Sequence, residues 1–372
     1  MFFTKEEFEK LKLKSDDILV CEGGDIGRTA LYSDELVECA YQNHLHRLRT
    51  KNENDSQQFF VYWMNYAINH RKMYIQDGNR TTIPNLSSSR LKCFQIPHPP
   101  FEEQHKIASV LSIIQTAQGK TKTVINTLKE LKQSMMKYLF TYGPVRLEET
   151  KNVKLKETEI GQIPNEWNIT ELRDQTEIID CKHVTPTYAE TGVPLIRPRN
   201  LKEGKIDYDN VEHISEKDYQ FFTEKHAPTI GDIIFSRNAS YGNCAYINTN
   251  QKICIGQDMI VITKKKANTL FIYYLFQSDT IQNQINHLST GSTIHRINLK
   301  DICRLLVPIP SVREQEKIIE ILTSVDEKIA LEQSKKNSLE ELFKSMLHNL
   351  MTAKIRVNNL KITSKGEIIH DA

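Results

Sequence analysis

Two stretches of the chain carry apolar residues at alternating steps of four and three positions. One runs from Ile107 to Leu139 and the other from Ile318 to Leu350. This spacing is a heptad seam, and it predicts a long amphipathic helix in each stretch. A helix of 40 residues is about 60 Å long, which is more than one small domain can cover. We therefore expect the two helices to pack against each other in an antiparallel pair, and the alternative is that each packs on its own domain. The seam residues predicted to form this helix–helix or partner interface are Ile107, Leu111, Ile114, Leu128, Met135, Ile318, Leu322, Val325, Leu339, Phe343 and Met346.

The chain also repeats itself. Residues 96–107 return as residues 307–318, and the match continues without a gap to Thr141 and Thr352 at an offset of 211. Upstream, Asp17 to Leu19 corresponds to Asp232 to Ile234 at an offset of 215. This period is far longer than the roughly 20–50 residues of a solenoid unit. It indicates a duplicated globular domain followed by a duplicated helix, and the first copy lacks a counterpart of roughly residues 160–215.

Short apolar runs between Gly, Asn and Pro predict strands in both halves. The predicted strands are 17–21, 29–32 and 44–48 in the first half, and 192–197, 232–237, 244–247 and 259–262 in the second. Helical spacing covers 57–71 in the first half and 270–286 in the second. The predicted fold class is α+β, with two similar mixed α/β domains separated by two long helices that pack as an antiparallel coiled coil. The predicted domains are 1–100 (first domain, incomplete at its start), 101–142 (first helix), 143–160 (linker), 161–310 (second domain), 311–353 (second helix) and 354–372 (tail).

Composition narrows the class of protein. Hydrophobic residues make up 39% of the 372 residues, which allows real cores. No apolar run approaches the ~18 residues of a membrane span, and the first residues show no signal-peptide pattern. The seven Cys are scattered and form no Cys-x-x-Cys pair. These features predict a cytoplasmic protein with no disulfide framework, no metal site and no cofactor.

Charge is balanced throughout. The net charge is +2, residues 1–100 carry 13 basic and 13 acidic residues, and residues 161–310 carry 16 and 17. Bulk charge therefore does not indicate a nucleic-acid binder, and any DNA contact must come from a local patch.

Several segments together resemble one family. They are the entry from Glu159 to Trp167, the strand Gly192 to Arg197, the turn Gly291-Ser292-Thr293, and the exit Pro308-x-Pro310 with Glu314-Gln315 before a long helix. In order, spacing and duplication the chain resembles the specificity subunit of type I restriction-modification systems. The resemblance covers nearly the whole chain, and the short first domain departs from it.

The resemblance implies a non-catalytic subunit of a type I restriction endonuclease and DNA methyltransferase complex. Each globular half would be a target-recognition domain for one half of a bipartite double-stranded DNA sequence. The paired helices would fix the gap and dock methyltransferase subunits, two of them by expectation. Restriction subunits would join through the complex.

Reading DNA needs Arg, Lys, Asn or Gln side chains at base edges, supported by contacts to phosphate. Such residues lie at predicted strand ends and in polar loops, where recognition groups are usually found. In the second half the candidates are Lys182, His183, Arg197, Arg199, Asn200, Lys202, Arg237, Asn238, Tyr241, His295 and Arg296. In the first half they are Arg28, Arg47 and Arg80.

Other interpretations stay open. The run from Ile18 to Gly27 superficially resembles a strand followed by a glycine-rich nucleotide-binding loop, but Thr29 to Tyr32 reads as a strand instead of the required helix. The sequence contains no phosphate-binding loop and no methyltransferase or metalloprotease motif. A catalytic enzyme, a coiled-coil adaptor that reads no DNA and a defective specificity remnant are the rival functions. In a further variant, two chains pair through their complete second halves and read a symmetric site.

Overall fold

The computed structural model describes residues 4–33, 38–52, 54–75, 85–238, 242–288 and 296–357, together with the backbone of 361–362 and 368–369. The described helices are α1 (Lys5–Leu11), α2 (Gln57–Asn65, continued by a π-helical turn Tyr66–His70), α3 (Ser88–Lys92), α4 (Phe101–Tyr142), α5 (Leu172–Gln175), α6 (Glu216–Phe222), α7 (Thr269–Phe276), α8 (Asp279–Leu288), α9 (Leu299–Cys303) and α10 (Val312–Met351).

The described strands are β1 (Ile18–Cys21), β2 (Thr29–Leu31), β3 (Leu45–Leu48), β4 (Leu155–Thr158), β5 (Gly161–Pro164), β6 (Asn168–Glu171), β7 (Thr176–Asp180), β8 (Tyr188–Ala189), β9 (Val193–Ile196), β10 (Leu201–Lys202), β11 (Lys205–Ile206), β12 (Glu212–Ile214), β13 (Ile233–Ser236), β14 (Cys244–Tyr246), β15 (Cys254–Ile255), β16 (Met259–Lys264), β17 (Leu306–Ile309), β18 (Lys361–Ile362) and β19 (Ile368–Ile369). The chain divides into two compact units. The first unit comprises Met1–Ile125 and Leu331–Ala372, and the second comprises Asn126–Ala330.

Two four-stranded sheets form the frame of the second unit. One has the order β14-β13-β16-β7 and is antiparallel throughout. The other has the order β15-β9-β12-β8, in which β15 runs parallel to β9. The central strand β13 is buried on both faces because α7 covers one side and the second sheet lies towards the other. Strand β13 therefore carries a continuous apolar run of Ile233, Ile234 and Phe235 instead of an alternating pattern.

A smaller version of the first sheet lies in the first unit. Its order is β2-β1-β3. These three strands correspond to β14, β13 and β16 at the sequence offset of 215, and they pair in the same antiparallel way. Among the described residues of the first unit, no strand corresponds to β7 or to the sheet that contains β9. The predicted deficit of the first half is thus a missing edge strand and a missing second sheet.

The two long helices run antiparallel within each unit. In the first unit, Gln118 Nε2 donates to the Leu339 carbonyl at 2.9 Å. In the second unit, Lys132 Nζ lies 2.8 Å from Asp326 Oδ1. In the first unit Glu103, at the start of α4, also pairs with Arg356, beyond the end of α10, and in the second unit Gly143, after the end of α4, lies next to Glu314, near the start of α10. Within each unit one partner's number therefore rises as the other's falls, so the helix directions are opposed and the predicted antiparallel coiled coil is confirmed. All of the seam residues named above are buried or half-buried. In the polar mid-section, Gln118 and Lys132 bond across the seam, whereas Lys336 pairs with Glu340 of its own helix.

The segment 270–286, where the spacing predicts helix, is helical but not one continuous helix. The structure has two helices, α7 and α8, separated by Gln277 and Ser278. The hydroxyl of Ser278 donates to the Leu275 carbonyl at 2.6 Å and thereby satisfies an acceptor at the end of α7. This is the local side-chain bond with which Ser competes against helix continuation. The helical spacing of apolar residues continues from α7 into α8 because both helices pack on the same core.

Candidate nucleic-acid interface

Candidate DNA-reading side chains gather at one edge of the sheet β14-β13-β16-β7. Strands β13 and β7 end at this edge, and β16, which runs antiparallel to both, begins there. Arg237 and Asn238 follow β13, while Lys182 and His183 follow β7. Arg296 joins them because it forms an isolated antiparallel bridge with Asn238. Five residues from three separate segments of the sequence therefore lie at one edge of the sheet.

Asp180, the last residue of β7, binds two of these side chains. Its Oδ1 accepts a hydrogen bond from Arg237 Nη1 at 2.8 Å, and its Oδ2 lies 3.2 Å from His183 Nε2. The Arg237 side chain is only 7% exposed, whereas that of His183 is 53% exposed. Arg237 is thus a buried, paired charge that fixes the edge, because a buried guanidinium is stable only with such a partner. His183 presents its ring to solvent.

Asp258 holds the next pair along the edge. Its Oδ2 accepts from Asn238 Nδ2 at 3.2 Å, and its Oδ1 lies 3.4 Å from Arg296 Nη2. Its carbonyl also accepts from the Arg237 amide at 2.8 Å. Asp258 has a positive φ of 63° and forms a tight turn immediately before β16. The turn directs the carboxylate of Asp258 to the same edge of the sheet as the basic residues that follow β7 and β13.

A second group of candidates follows β9 in the neighbouring sheet. Arg197 Nη1 donates to Glu212 Oε2 at 3.0 Å, and Arg199 Nη2 lies 3.0 Å from Glu212 Oε1. Burial alone would raise the pKa of Glu212, but the hydrogen bonds and charges of the two arginines hold it below the usual glutamate value. The Gly256 amide donates to the Ile196 carbonyl at 2.8 Å, next to Arg197. The turn from Gly256 to Asp258 therefore connects the two groups into one surface.

The remaining described candidates of the second half have local partners. Lys182 Nζ lies over the ring of Phe221 at 3.8 Å and pairs with Glu224. Lys202 pairs with Asp207, and this hydrogen bond raises the pKa of its ammonium group. Asn200 is buried, and its Oδ1 accepts from the Arg197 amide at 3.0 Å. Its amide side chain thus shapes the turn that carries Arg197 and Arg199.

The two described candidates of the first half, Arg28 and Arg47, have separate local partners. Arg28 lies in the turn before β2, with its side chain 77% exposed and 3.8 Å from Asp25. Arg47 lies within β3 and donates to the Lys12 carbonyl at 2.8 Å, with its guanidinium over the ring of Tyr41. Arg47 therefore ties β3 to the segment after α1. The predicted sites Arg80, Tyr241 and His295 lie outside the described residues.

The three side chains of Asp180, Cys181 and His183 bring one potential metal ligand each to within 4.8 Å of one another. Two observations disfavour a cation at this place. Asp180 already accepts a hydrogen bond from the buried guanidinium of Arg237. Burial also raises the pKa of the Cys181 thiol, so the thiolate that a metal needs is disfavoured. We therefore interpret the cluster as part of the polar edge.

Sequence reasoning missed the carboxylates of this surface. Asp180, Glu212 and Asp258 each contact two candidate residues, yet none was predicted. Base edges and phosphates predict mainly hydrogen-bond donors, and a carboxylate is only an acceptor. The available signal was the near equality of 16 basic and 17 acidic residues in the second half, which indicates that the exposed cations have acidic neighbours.

Comparison with known proteins identifies the family. The model of the type I restriction modification DNA specificity domain matches residues 3–155 and again 164–341. The chain belongs to this family. It is similar to the MjaVIII specificity subunit of Methanocaldococcus jannaschii, with 25% identity over 96% of this chain and 83% of that protein. It is also similar to the EcoBI specificity subunit of Escherichia coli, with 23% identity over 82% of this chain and 65% of that protein.

Solved structures agree on the fold. The S subunit of a type I system from M. genitalium superimposes with a TM-score of 0.57 and 18% identity, over 92% of this chain and 84% of that one. A chain from a structure on complex assembly and conformational transition of a type I system gives 0.55 and 16%, over 91% and 82%. The expected α+β fold with two specificity domains is confirmed.

Family membership settles the class of function. The chain is a DNA-specificity subunit of a type I restriction-modification system, and the chemistry of such systems belongs to other subunits. The internal repeat is the duplicated specificity domain, since the family model matches twice. Among the described helices, none is both long enough and apolar enough to cross a membrane.

Proposed function

We propose that the joined edges of the two sheets in the second unit form its DNA-reading surface. The observation that carries this proposal is the convergence of Lys182, His183, Arg237, Asn238 and Arg296 at one sheet edge. Arg197 and Arg199 reach the same surface through the turn at Gly256. Strand ends hold such side chains on a rigid frame, and this rigidity favours geometric readout of base edges.

Exposure divides the candidates into two roles. Arg197, Arg199, Arg296 and His183 have side chains that are 40%, 57%, 48% and 53% exposed, so they are free to approach base edges. Arg237 and Asn200 are buried and would orient their neighbours without touching DNA. Lys182 and Lys202 lie at the margin and suit phosphate contacts. Tyr241 and His295 stay in the proposal on sequence grounds alone.

For the first half we propose a weaker contribution to a bipartite target. Arg28, Arg47 and Arg80 remain the candidate contacts, and Arg28 is the most exposed of those described. Arg47 has a structural partner in the Lys12 carbonyl. A sheet without a counterpart of β7 lacks the strand that carries Lys182 and His183 in the second half. We therefore assign most of the base reading to the second half.

We further propose that the chain binds two methyltransferase subunits and, through them, restriction subunits. Equivalent positions of the repeat expose apolar side chains on the long helices. Leu131 and Leu342 are both 46% exposed, and Phe101 and Val312 are 43% and 70% exposed. Each pair is separated by the repeat offset of 211. Equivalent exposed apolar positions suit two copies of one partner. The complex would work in the cytoplasm, where the host DNA lies.

The test is to express the chain with and without the methyltransferase of its own system and to map methylated adenines in host DNA by long-read sequencing. A split sequence methylated only when both proteins are present would support a bipartite specificity subunit. A single half-site or a palindrome would show that the first half is silent. Identical methylation with and without the chain would contradict the proposal and favour an adaptor or a remnant.

A further inference from the structure

Three carboxylates of the DNA-reading surface share one arrangement. Glu212, Asp258 and Asp180 each use their two oxygens to hold two different candidate side chains, at distances between 2.8 and 3.4 Å. Their side chains are 31%, 28% and 27% exposed, so all three lie at the surface. Six candidate residues, one of them the buried Arg237, are thus restrained by three acids before any DNA arrives.

The fold contains a different kind of aspartate for comparison. Asp17 and Asp232 occupy equivalent positions, and their side chains are only 1% and 3% exposed. Each carboxylate accepts a hydrogen bond from the backbone amide of the residue three positions earlier, Lys14 or Thr229, at 2.9 Å. Such buried acids hold the local backbone. None of the three surface acids makes a side-chain hydrogen bond to backbone among the described contacts, so holding the backbone does not explain them.

We propose that Glu212 and Asp258, which hold the exposed arginines, are specificity-determining residues that suppress binding to unrelated DNA, whereas Asp180 compensates the buried Arg237. This inference rests on the DNA-reading surface proposed above. Attraction between cations and phosphates is independent of sequence. An arginine that is held by a carboxylate presents little net charge to phosphate, and the carboxylate itself repels it. Non-specific affinity therefore falls at this surface.

Cognate DNA offers the arginine new hydrogen-bond acceptors in place of the carboxylate that it leaves. Guanine offers O6 and N7 in a geometry that matches the two-pronged guanidinium of Arg197, Arg199 or Arg296. A wrong base offers no equivalent pair of acceptors, so the arginine stays paired with its acid and its charge is not available to the phosphates. Specificity is a difference between two affinities, and a repulsive element against wrong partners increases it. This mechanism also explains why a DNA-reading domain carries about as many acidic as basic residues.

The decisive variants are Glu212→Gln and Asp258→Asn, which keep the shape of the side chain and remove its charge. The matched control is Glu216→Gln, because Glu216 is an exposed acid of the same unit that pairs with Lys252 at 2.9 Å and contacts none of the candidates. Each variant is purified as the complex with its methyltransferase. Binding is measured at several salt concentrations to a duplex that contains the mapped sequence and to an unrelated duplex of equal composition. A melting curve checks folding.

We expect Glu212→Gln to bind the unrelated duplex about tenfold more tightly, because each freed arginine adds about one phosphate contact. The plot of log affinity against log salt should steepen by about 0.9 per contact. The ratio of cognate to unrelated affinity should fall by a similar factor, and methylation at near-cognate sites should rise. Asp258→Asn should act in the same direction, and Glu216→Gln should not.

Two failures are distinguishable. If the wild-type complex does not discriminate between the two duplexes, the proposed DNA-reading function is wrong. If it discriminates, but Glu212→Gln and Asp258→Asn leave affinity for the unrelated duplex at the level of Glu216→Gln, the carboxylate mechanism is overturned. A folded variant that loses cognate binding without gaining non-specific binding would also overturn it, because the acid would then only position the arginines.

Discussion

At the scale of single residues, the turn between β1 and β2 shows why one glycine survives in both halves. Gly27 has a φ of 76° and its amide donates to the Cys21 carbonyl, while the equivalent Gly242 has a φ of 81° and donates to Ser236. A β-carbon on Gly27 would lie 2.3 Å from Cγ2 of Ile68, which is buried. This position therefore requires glycine, because the turn is left-handed and packs tightly against a helical segment.

This turn leads to a graded prediction. Gly27→Ala should destabilise the first unit by roughly 2–4 kcal/mol, since it combines an unfavourable φ with a clash in the core. Gly24→Ala should cost about 1 kcal/mol, because Gly24 has a φ of 72° but open space around it. Gly23→Ala, with open space and no positive φ, is the control. Urea unfolding followed through Trp63 in a Trp167→Phe background measures the first unit alone, and equal effects of all three variants would refute the argument.

Asp17 gives a prediction on pH. Burial opposes ionisation of its carboxyl, but hydrogen bonds from Arg49 and from the Lys14 amide hold its pKa below the usual aspartate value. The ionised form therefore stabilises the first unit above about pH 4, and this contribution is lost as the pH falls through the lowered pKa. Asp17→Asn should cost roughly 1–3 kcal/mol at pH 7, and its difference from the wild type should shrink below pH 4.

The same Trp63 signal measures this pH dependence. Asp16→Asn is the matched control, because Asp16 is the exposed neighbour and its positive φ of 67° is tolerated by Asn. We expect the control to follow the wild type at every pH. A constant difference between Asp17→Asn and the wild type from pH 7 to pH 3 would show that the carboxylate charge does not contribute.

At the scale of elements, a duplicated glutamine joins each long helix to its domain. Gln104 Oε1 accepts from the Ser56 amide at 3.0 Å, and its Nε2 donates to the Pro99 carbonyl at 2.9 Å. Gln315 repeats this with the Asn268 amide at 3.2 Å and the Pro310 carbonyl at 3.1 Å. Ser56 and Asn268 are the N-caps of α2 and α7. The repeated Glu-Gln pair therefore does more than complement a helix N-terminus, because its glutamine satisfies two backbone groups.

Replacing this glutamine should loosen the adjacent helix. Gln315→Met leaves the Asn268 amide and the buried Pro310 carbonyl without their partner, at a cost of roughly 1–3 kcal/mol. Amides at the start of α7 should exchange with solvent deuterium correspondingly faster. Gln333→Met, at an exposed position of α10, should leave exchange in α7 unchanged. Protection of α7 that is unaltered by Gln315→Met would contradict the assigned role.

The repeat also extends beyond the second long helix. Residues 360–368 repeat the spacing of 155–163, with Leu, Lys, Thr, Gly and Ile at equivalent places. The backbone shows the same type of element, because β18 pairs with β19 as β4 pairs with β5. The uninterrupted match at an offset of 211 ends at Thr352, so this second strand pair lies beyond it. The interval between repeats changes after the helix, and a fixed offset therefore does not detect it.

At the scale of the whole molecule, duplication implies equivalent partner sites. We expect Leu131→Ser and Leu342→Ser each to remove one methyltransferase subunit from the complex, and the double variant to remove both, because each exposed leucine would be buried by one copy of the partner. The stoichiometry is measured by native mass spectrometry of the co-purified complex. Leu147→Ser is the control, since Leu147 is 78% exposed but lies outside the long helices. Single variants that retain two partner subunits would exclude these positions.

The sequence by itself determined the internal repeat, the pair of long helices α4 and α10, and the family. Heptad spacing and the offset of 211 are properties of the chain alone, and the strands around β1 and β13 have strong apolar runs. The sequence could not show that Ser278 interrupts a helical pattern, because both helices face one core. It identified donors such as Arg197 and Arg296 by residue type, but residue type does not show what lies opposite a side chain.

Only the tertiary structure decided how the candidate surface is arranged. Antiparallel pairing brings the ends of β7 and β13 next to the start of β16, although Asp180, Arg237 and Asp258 are far apart in the sequence. It also decided which arginine is buried and which are exposed, since burial depends on neighbours from several elements. Local patterns record how each segment folds, and charge pairing across a sheet edge depends on contacts between segments. The sequence shows that the domain contains enough acidic residues to restrain this surface. Only the fold shows which of them contact the arginines.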